Sequence, residues 1–184
     1  MKIYFITGNK FKFEEVKKML FSVKNLELEQ LDLELEEIQE IDPRKVIEHK
    51  LKQALEHVKA NVMVEDTSLG LECINNLPGP LIKWFLKTVK EEGLFKIAES
   101  LGNNKARALA IIGFAKSKKE IDFFEGEVSG TIDSPAGENG FGWDVIFRPE
   151  GYSKTFGQME SLEKNKISHR FLAIKKFKEF LVKN

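Results

Sequence analysis

Residues 106–132 contain two extended runs, "ARALAIIGFAKS" and "EIDFFEGEVSGTI", joined through a turn at Ser117-Lys118-Lys119. The first centres on Ile111, Ile112 and Phe114 and the second carries Ile121, Phe123, Phe124, Val128, Thr131 and Ile132, so each reads as a long strand. So short a connection joins strands only antiparallel, because a parallel crossover needs about a dozen residues or more. The middle of the chain is therefore an antiparallel pair, and every other element must be arranged around it.

The flanking segments have helical as well as extended patterns. "KIYFI" (2–6) reads as a short strand that runs into Thr7-Gly8-Asn9; Phe13, Val16, Lys17 and Leu20 then follow at helical spacing, with Asn9 suited to cap the helix. A strand near 26–33 precedes the acidic run "LELEEIQEID". Asp42-Pro43 opens a second helix, on which Val46, Ile47, Leu51, Ala54, Leu55 and Val58 form one apolar face. "NVMVEDT" (61–67) reads as a buried strand that ends in two acids, and "LGLECI" continues the extended chain to a turn at Leu77-Pro78-Gly79-Pro80. Residues 81–101 are helical with a break expected at Gly93. Ser168 is suited to cap a last helix carrying Phe171, Ile174, Phe177 and Leu181 on its inner side. The expected class is α/β, with a mixed parallel and antiparallel central sheet and flanking helices, in a single domain over 1–184.

Composition narrows the function. The 184 residues are enough to bury a core without metal or disulfide staples. The 29 basic and 29 acidic residues cancel, which argues against a general nucleic-acid or membrane-surface binder, so any anion site must be a local cluster. Cys73 is the only cysteine, which excludes an internal disulfide and fits a small core residue better than a nucleophile. The opening "MKIYFITGNK" has too short an apolar run for a signal peptide and no segment reaches the length of a membrane span, so a cytoplasmic location is expected.

Four segments can carry chemistry. In "FITGNKFKFEE" a strand, a glycine turn and a helix start bring open backbone N–H groups to one spot, with Lys10 and Lys12 beside them; this suits an anion, although the second glycine and Lys-Ser/Thr pair of a Walker loop are missing. In "VMVEDTSLGLE" buried apolar residues deliver Glu65 and Asp66, which is costly unless the carboxylates meet a cation or several donors. A hard divalent ion such as Mg²⁺ suits them, with Glu36 or Glu37 of the acidic run as a further ligand. Adjacent strand residues face opposite ways, so the two acids are expected to have different tasks unless the strand stops there. In "EKNKISHRF" Lys164, Lys166, His169 and Arg170 crowd around a helix start, where the dipole disfavours cations and an anion or a carbonyl-rich ligand would explain them. In "GENGFGWDVIF" glycines let the backbone approach a partner closely, and Phe141 and Trp143, expected to be exposed beside Asp144, suit a flat, hydrogen-bonding base. Capped helices, solvated acidic loops and core aromatics are the plainer alternatives for the single segments. Together they ask for a nucleoside triphosphate and a divalent cation. No serine stands in a nucleophile elbow, so metal-assisted attack of water on a phosphoanhydride is the economical chemistry.

At this point "TGNKFKFEEV", "VEDTSLGLECINNLPGPLIKWF", "GFGWDVIFRPEGYSKTFGQM" and "EKNKISHR" resemble, in order and nearly from end to end, the signature segments of the inosine triphosphate pyrophosphatases. The resemblance implies a two-lobed, mixed-sheet fold with the nucleotide in a cleft, a homodimer, and Mg²⁺-dependent hydrolysis of non-standard purine triphosphates (ITP, dITP, XTP) to the monophosphate and pyrophosphate, cleansing the nucleotide pool. It implies that Thr7, Gly8, Asn9, Lys10 and Lys12 form the phosphate loop, that Asp66 is the catalytic acid, and that Glu65 sits beside the metal. Thr67, Lys50, Lys83 and Lys164 with His169 and Arg170 would contact substrate, and Phe141, Gly142, Trp143 and Asp144 would form the base pocket. The glutamate two before Gln39 selects Glu37 as metal ligand, and the extra acid keeps Glu36 open. Trp143-Asp144-Val145 replaces the Tyr-Asp-Pro of many bacterial relatives. Trp84 and Phe85 remain open between core, cleft and dimer contact. Alternatives are a pyrophosphatase for pyrimidine or modified triphosphates, and a sensor that binds nucleotide without cleaving it.

Overall fold

In the computed structural model, which describes residues 1–183, the chain begins with β1 (Lys2–Ile6), whose alternate residues Ile3 and Phe5 are fully buried. Asn9 then starts α1 (Lys10–Leu20): its side chain accepts the Lys12 N–H at 3.1 Å, satisfying one of the donors a helix start leaves open. β2 (Glu27–Leu31) lies parallel to β1. Asp42 caps α2 (Pro43–His57) by accepting the Arg44 N–H at 2.9 Å, and Pro43, which has no N–H to leave unsatisfied, takes the first position.

β3 (Asn61–Leu71) also runs parallel to β1. It does not end at Glu65-Asp66 as the sequence predicts but continues as one strand through both acids to Leu71, where β4 (Leu77–Gly79) pairs with it antiparallel. The helical stretch expected over 81–101 is two helices, α3 (Ile82–Thr88) and α4 (Lys90–Ser100). The break falls at Val89-Lys90, where Lys90 has a φ of 60°, and not at Gly93. Gly93 lies inside α4, where an added Cβ would come within 2.6 Å of the Val89 Cβ, so the glycine provides room for the helix junction. β5 (Lys105–Ser117) and β6 (Glu120–Ile132) form the expected hairpin through Lys118-Lys119, and β7 (Phe147–Pro149) is antiparallel to β6. α5 (Ser161–Lys164) and α6 (His169–Lys183) complete the chain. Among the described residues the sheet has seven strands in the order β2-β1-β3-β5-β6-β7, with β4 on β3, so parallel and antiparallel pairs share it as expected.

The single domain expected from length comprises two compact units. The first takes Met1–Asp66, Ala110–Gly126 and the chain from Phe171; the second takes Thr67–Leu109 and Glu127–Arg170. Each has its own apolar cluster. In the first, Phe177 lies against Phe114 at 5.4 Å and Phe124 at 5.1 Å between ring centroids. In the second, Leu69, Leu71, Trp143, Ile146, Phe147 and Phe156 pack together. Among the described residues no helix is long and apolar enough to cross a membrane.

Gly113 sets how closely α2 lies on β5: a Cβ there would run into Ile47 Cγ2 and stand 2.8 Å from Leu51 Cδ1. Both neighbours are fully buried and have little room to retreat. Gly113→Ala is therefore expected to destabilise the protein by about 1–3 kcal/mol through overpacking, measured as a lower urea midpoint with an unchanged slope.

Candidate active site

In the first unit the β1–α1 turn is held from both sides. The Thr7 N–H donates to the Leu31 carbonyl at 3.1 Å, and the Gln30 amide donates to the Thr7 carbonyl at 2.8 Å. The Thr7 hydroxyl accepts the Asn9 N–H at 3.1 Å. Helix geometry leaves the N–H groups of Lys10 and Phe11 without an intrahelical acceptor, and both residues are exposed, so donors and the Lys10 charge are available at the helix start. Gly8 lets Asp32 lie against the turn: a Cβ there would stand 2.8 Å from the Asp32 Oδ1.

Because β3 keeps its pleat through Glu65 and Asp66, the two carboxylates separate. Glu65, with a side chain 0% exposed, pairs with Lys12 at 3.4 Å. Asp66 accepts from the Lys50 ammonium at 3.1 Å, and Glu37 accepts from the same ammonium at 3.1 Å. Burial alone pushes the Lys50 ammonium down, but Asp66 and Glu37, through charge and hydrogen bonds, more than reverse this and hold it above the ordinary lysine value. Carboxylates from β3 and from the segment before α2 thus converge on one cationic point.

The acids expected around a metal, Glu65 and Asp66 with either Glu36 or Glu37, are not all brought together. Among the described residues no three His, Cys, Asp or Glu side chains form a group able to hold an ion. Glu65 is committed to Lys12, and Glu36 is exposed with its backbone bonded to Gln53. The pair that does converge, Glu37 and Asp66, fits Mg²⁺ chemically: two hard oxygen donors meeting at a cation-occupied point match an ion that takes one or two carboxylates and fills its shell with water and phosphate.

The second unit holds the aromatic and basic residues. The expectation of exposed aromatics at 141–143 fails for Trp143, which is 6% exposed, edge-on to Phe147 at 5.6 Å and tilted over His169 at 5.1 Å. Only the packing of distant segments explains this, since the glycines around it suggested an open loop. Phe141 is half-buried, and the Lys164 ammonium and the Arg170 guanidinium lie 5.3 Å and 5.2 Å from its ring centre. Asp144 is buried and its Oδ2 accepts from the Phe141 N–H at 2.8 Å and from Lys164 at 2.6 Å, so it fixes its neighbours. His169 also stacks near Phe156 at 6.0 Å, and Ser168, His169 and Arg170 are all buried at the start of α6. Gly142 has a φ of 60° and is exposed; Thr67 is half-buried on β3, and Lys83 is exposed on α3.

With this geometry in place, comparison with known proteins is decisive. The chain matches the Ham1 family over residues 3–180. It belongs to the Ham1 family. A relative from Schizosaccharomyces pombe, named inosine triphosphate pyrophosphatase, is 42% identical over 183 residues, covering 97% of this chain and 94% of that protein. The Ham1 protein of Staphylococcus aureus has a similar structure, with a TM-score of 0.83 at 26% identity and 98% of each chain covered. A HAM1 protein from Coxiella burnetii superposes over 100% of both chains with a TM-score of 0.87; at 20% identity it shows the shared fold alone.

Several residues that hold these segments in place had no mark in the sequence. Gln30 and Gln53 are polar positions on a strand and a helix with no motif to mark them. Thr155 caps the turn containing Phe156 and donates its hydroxyl to the Ala136 carbonyl at 2.8 Å, tying together segments far apart in sequence. Gly140, φ 79°, was visible as a turn glycine, but its reason was not: a Cβ would collide with the Asp144 carboxylate.

A lysine whose folded pKa is raised contributes stability that is fully present below its unfolded value and is lost as pH rises through the folded value. The stability gap between wild type and Lys50→Met is thus expected to stay constant from about pH 7 to about pH 9 and to narrow near pH 11, in urea titrations at each pH. In the second unit, Asp144→Ala leaves a buried ammonium without its carboxylate and is expected to cost about 3–5 kcal/mol, read from the urea midpoint at neutral pH.

Proposed function

We propose that this chain is a Mg²⁺-dependent nucleoside-triphosphate pyrophosphohydrolase that converts ITP, dITP and XTP to the monophosphates and pyrophosphate. The observation that carries the reading is the meeting of Glu37 and Asp66 at the Lys50 ammonium, with an open helix start and Lys10 and Lys12 in the same unit. The name of the Schizosaccharomyces pombe relative, inosine triphosphate pyrophosphatase, supports the substrate class.

In this reading the first unit serves the triphosphate. Thr7, Gly8, Asn9 and the N–H groups of Lys10 and Phe11 receive phosphate oxygens, and Lys10, Lys12 and Lys50 neutralise the charge that gathers as pyrophosphate leaves. Thr67 and Lys83, which belong to the second unit, also contact substrate. Glu37 and Asp66 would hold Mg²⁺, which when bound would supply charge neutralisation to the phosphates. Asp66 takes the proton of the attacking water; the water oxygen bonds to the α-phosphorus as the bond from that phosphorus to the α–β bridging oxygen breaks, and the electron pair leaves with pyrophosphate. Glu65 has no bond to the ion in this scheme and seats Lys12.

The second unit serves the base. Phe141 offers a face, Trp143 backs the pocket, and Asp144 keeps Lys164 and the turn in register. His169 and Arg170 present donors to the 6-oxo group shared by hypoxanthine and xanthine; adenine has an amino donor there, and the mismatch costs about 1–3 kcal/mol per contact. Guanine is rejected where its 2-amino group loses water without gaining an acceptor. The enzyme works as a cytoplasmic homodimer that cleanses the nucleotide pool, without nucleic-acid or membrane partners.

The deciding experiment is pyrophosphate release with Mg²⁺ from ITP, XTP, dITP, GTP, ATP and dTTP, for wild type and Asp66→Asn. Wild type is expected to favour ITP, dITP and XTP and to leave monophosphates, and Asp66→Asn to lose at least about 100-fold in turnover while still binding nucleotide. Full activity in Asp66→Asn removes it from the mechanism; equal turnover of GTP and ITP removes the base argument.

A further inference from the structure

We infer that Gln53 is a positioning residue for Glu37: its side-chain amide grips Glu36 at both backbone groups, and that grip aims the next residue's carboxylate at Lys50 and Asp66. The inference rests on the proposed role of Glu37 and Asp66 in triphosphate hydrolysis. Residues 32–40 carry neither helix nor strand, so the direction of a side chain there depends on individual tethers and not on a hydrogen-bond ladder. Gln53 Oε1 accepts the Glu36 N–H at 3.0 Å, and Gln53 Nε2 donates to the Glu36 carbonyl at 3.3 Å. A primary amide is suited to this double contact because it carries an acceptor and two donors on one planar head.

The position of Gln53 gives the grip its consequence. It lies on α2 three residues after Lys50, so the group that fixes the segment and the cation its carboxylate meets are carried by one helix at a fixed spacing. The Glu37 side chain is itself 44% exposed, and an ion pair that open to water restricts a flexible carboxylate only weakly. Holding the backbone one residue away narrows its range before any ligand arrives, as outer-shell partners do for metal-binding carboxylates.

Gln53→Met keeps the length and bulk of the side chain and removes both hydrogen bonds, whereas Gln53→Glu keeps an acceptor for the Glu36 N–H only. With ITP, Gln53→Met is expected to raise the Mg²⁺ concentration for half-maximal activity about 10-fold while leaving the KM for nucleotide at saturating Mg²⁺ within about twofold, with Gln53→Glu in between. Added to Glu37→Gln, Gln53→Met is expected to cause no further loss, because the residue it positions is already disabled. In the metal-free protein the amides of Glu36 and Glu37 are expected to exchange hydrogen faster in Gln53→Met while those of α2 stay protected. Unchanged Mg²⁺ dependence despite faster exchange, or effects that multiply in the double variant, would overturn the inference. If wild type hydrolyses none of the triphosphates, the functional reading fails separately, and the positioning is then decided by urea stabilities of wild type, Gln53→Met, Glu37→Gln and the double variant: coupling between the two substitutions upholds it, and strict additivity overturns it.

Discussion

Lys50 meets Glu37 and Asp66 at the border of an apolar helix face, and the organisation of the first unit follows from that contact. The residue sits on α2 among Val46, Ile47, Leu51 and Ala54, all buried, so its stem belongs to the core and its ammonium can emerge in one direction only. Removing a cation from water is unfavourable unless carboxylates answer it, and the two that do come from different parts of the chain. The contact therefore ties the end of the acidic run to β3 through α2. It also depends on the pleat of β3. Because the strand continues beyond Asp66, Glu65 is turned the opposite way and becomes the partner of Lys12 beneath the α1 start. One uninterrupted strand thus provides a carboxylate for each of two lysines, which a strand ending at 65 would not require.

Local grammar carried much of this architecture. The Asn9 cap, the Asp42-Pro43 helix start and the Lys118-Lys119 hairpin are decided by residues within a few positions of one another, and the structure has each where the sequence puts it. The opposed directions of Glu65 and Asp66 also followed from strand periodicity. What failed depended on distant neighbours. Gly93 reads as a helix breaker from propensity, yet it lies inside α4, where Val89 leaves no room for a Cβ, and the break falls at Lys90. Trp143 reads as exposed among glycines, yet Phe147 and His169 cover it. The resemblance favoured Glu37 and kept Glu36 open; the contacts that distinguish the two, of Gln53 with the Glu36 backbone and of Lys50 with the Glu37 side chain, join residues too far apart in sequence to be read locally.

The two units hold their charges in different ways. In the first, Glu37 and Asp66 remain partly open to water, and Lys10 is exposed, so these charges are hydrated and adjustable. In the second, Asp144, Lys164, His169 and Arg170 are nearly inaccessible, framed by Phe141, Trp143 and Phe156. Burial makes each polar contact there stronger and each missing partner more costly. Asp144 is the fixed point, because its one carboxylate holds both a backbone N–H and the Lys164 ammonium, and Gly140 leaves it the room to do so.

On the proposed reading this contrast matches the two parts of a nucleotide. The triphosphate is common to every candidate substrate, so the exposed Lys10, the carboxylate-paired Lys12 and Lys50 and the open backbone donors can bind it without having to discriminate. Bases differ by single donors and acceptors, and discrimination at that level requires a site in which an unmatched group cannot fall back on water. Rigid aromatic packing around buried cations supplies that condition, since preorganised donors hold their positions when the wrong base arrives. Selectivity should therefore respond to changes in packing at Trp143 or Phe156 as well as to loss of the polar groups themselves, because the aromatic rings keep the donors dry and fixed.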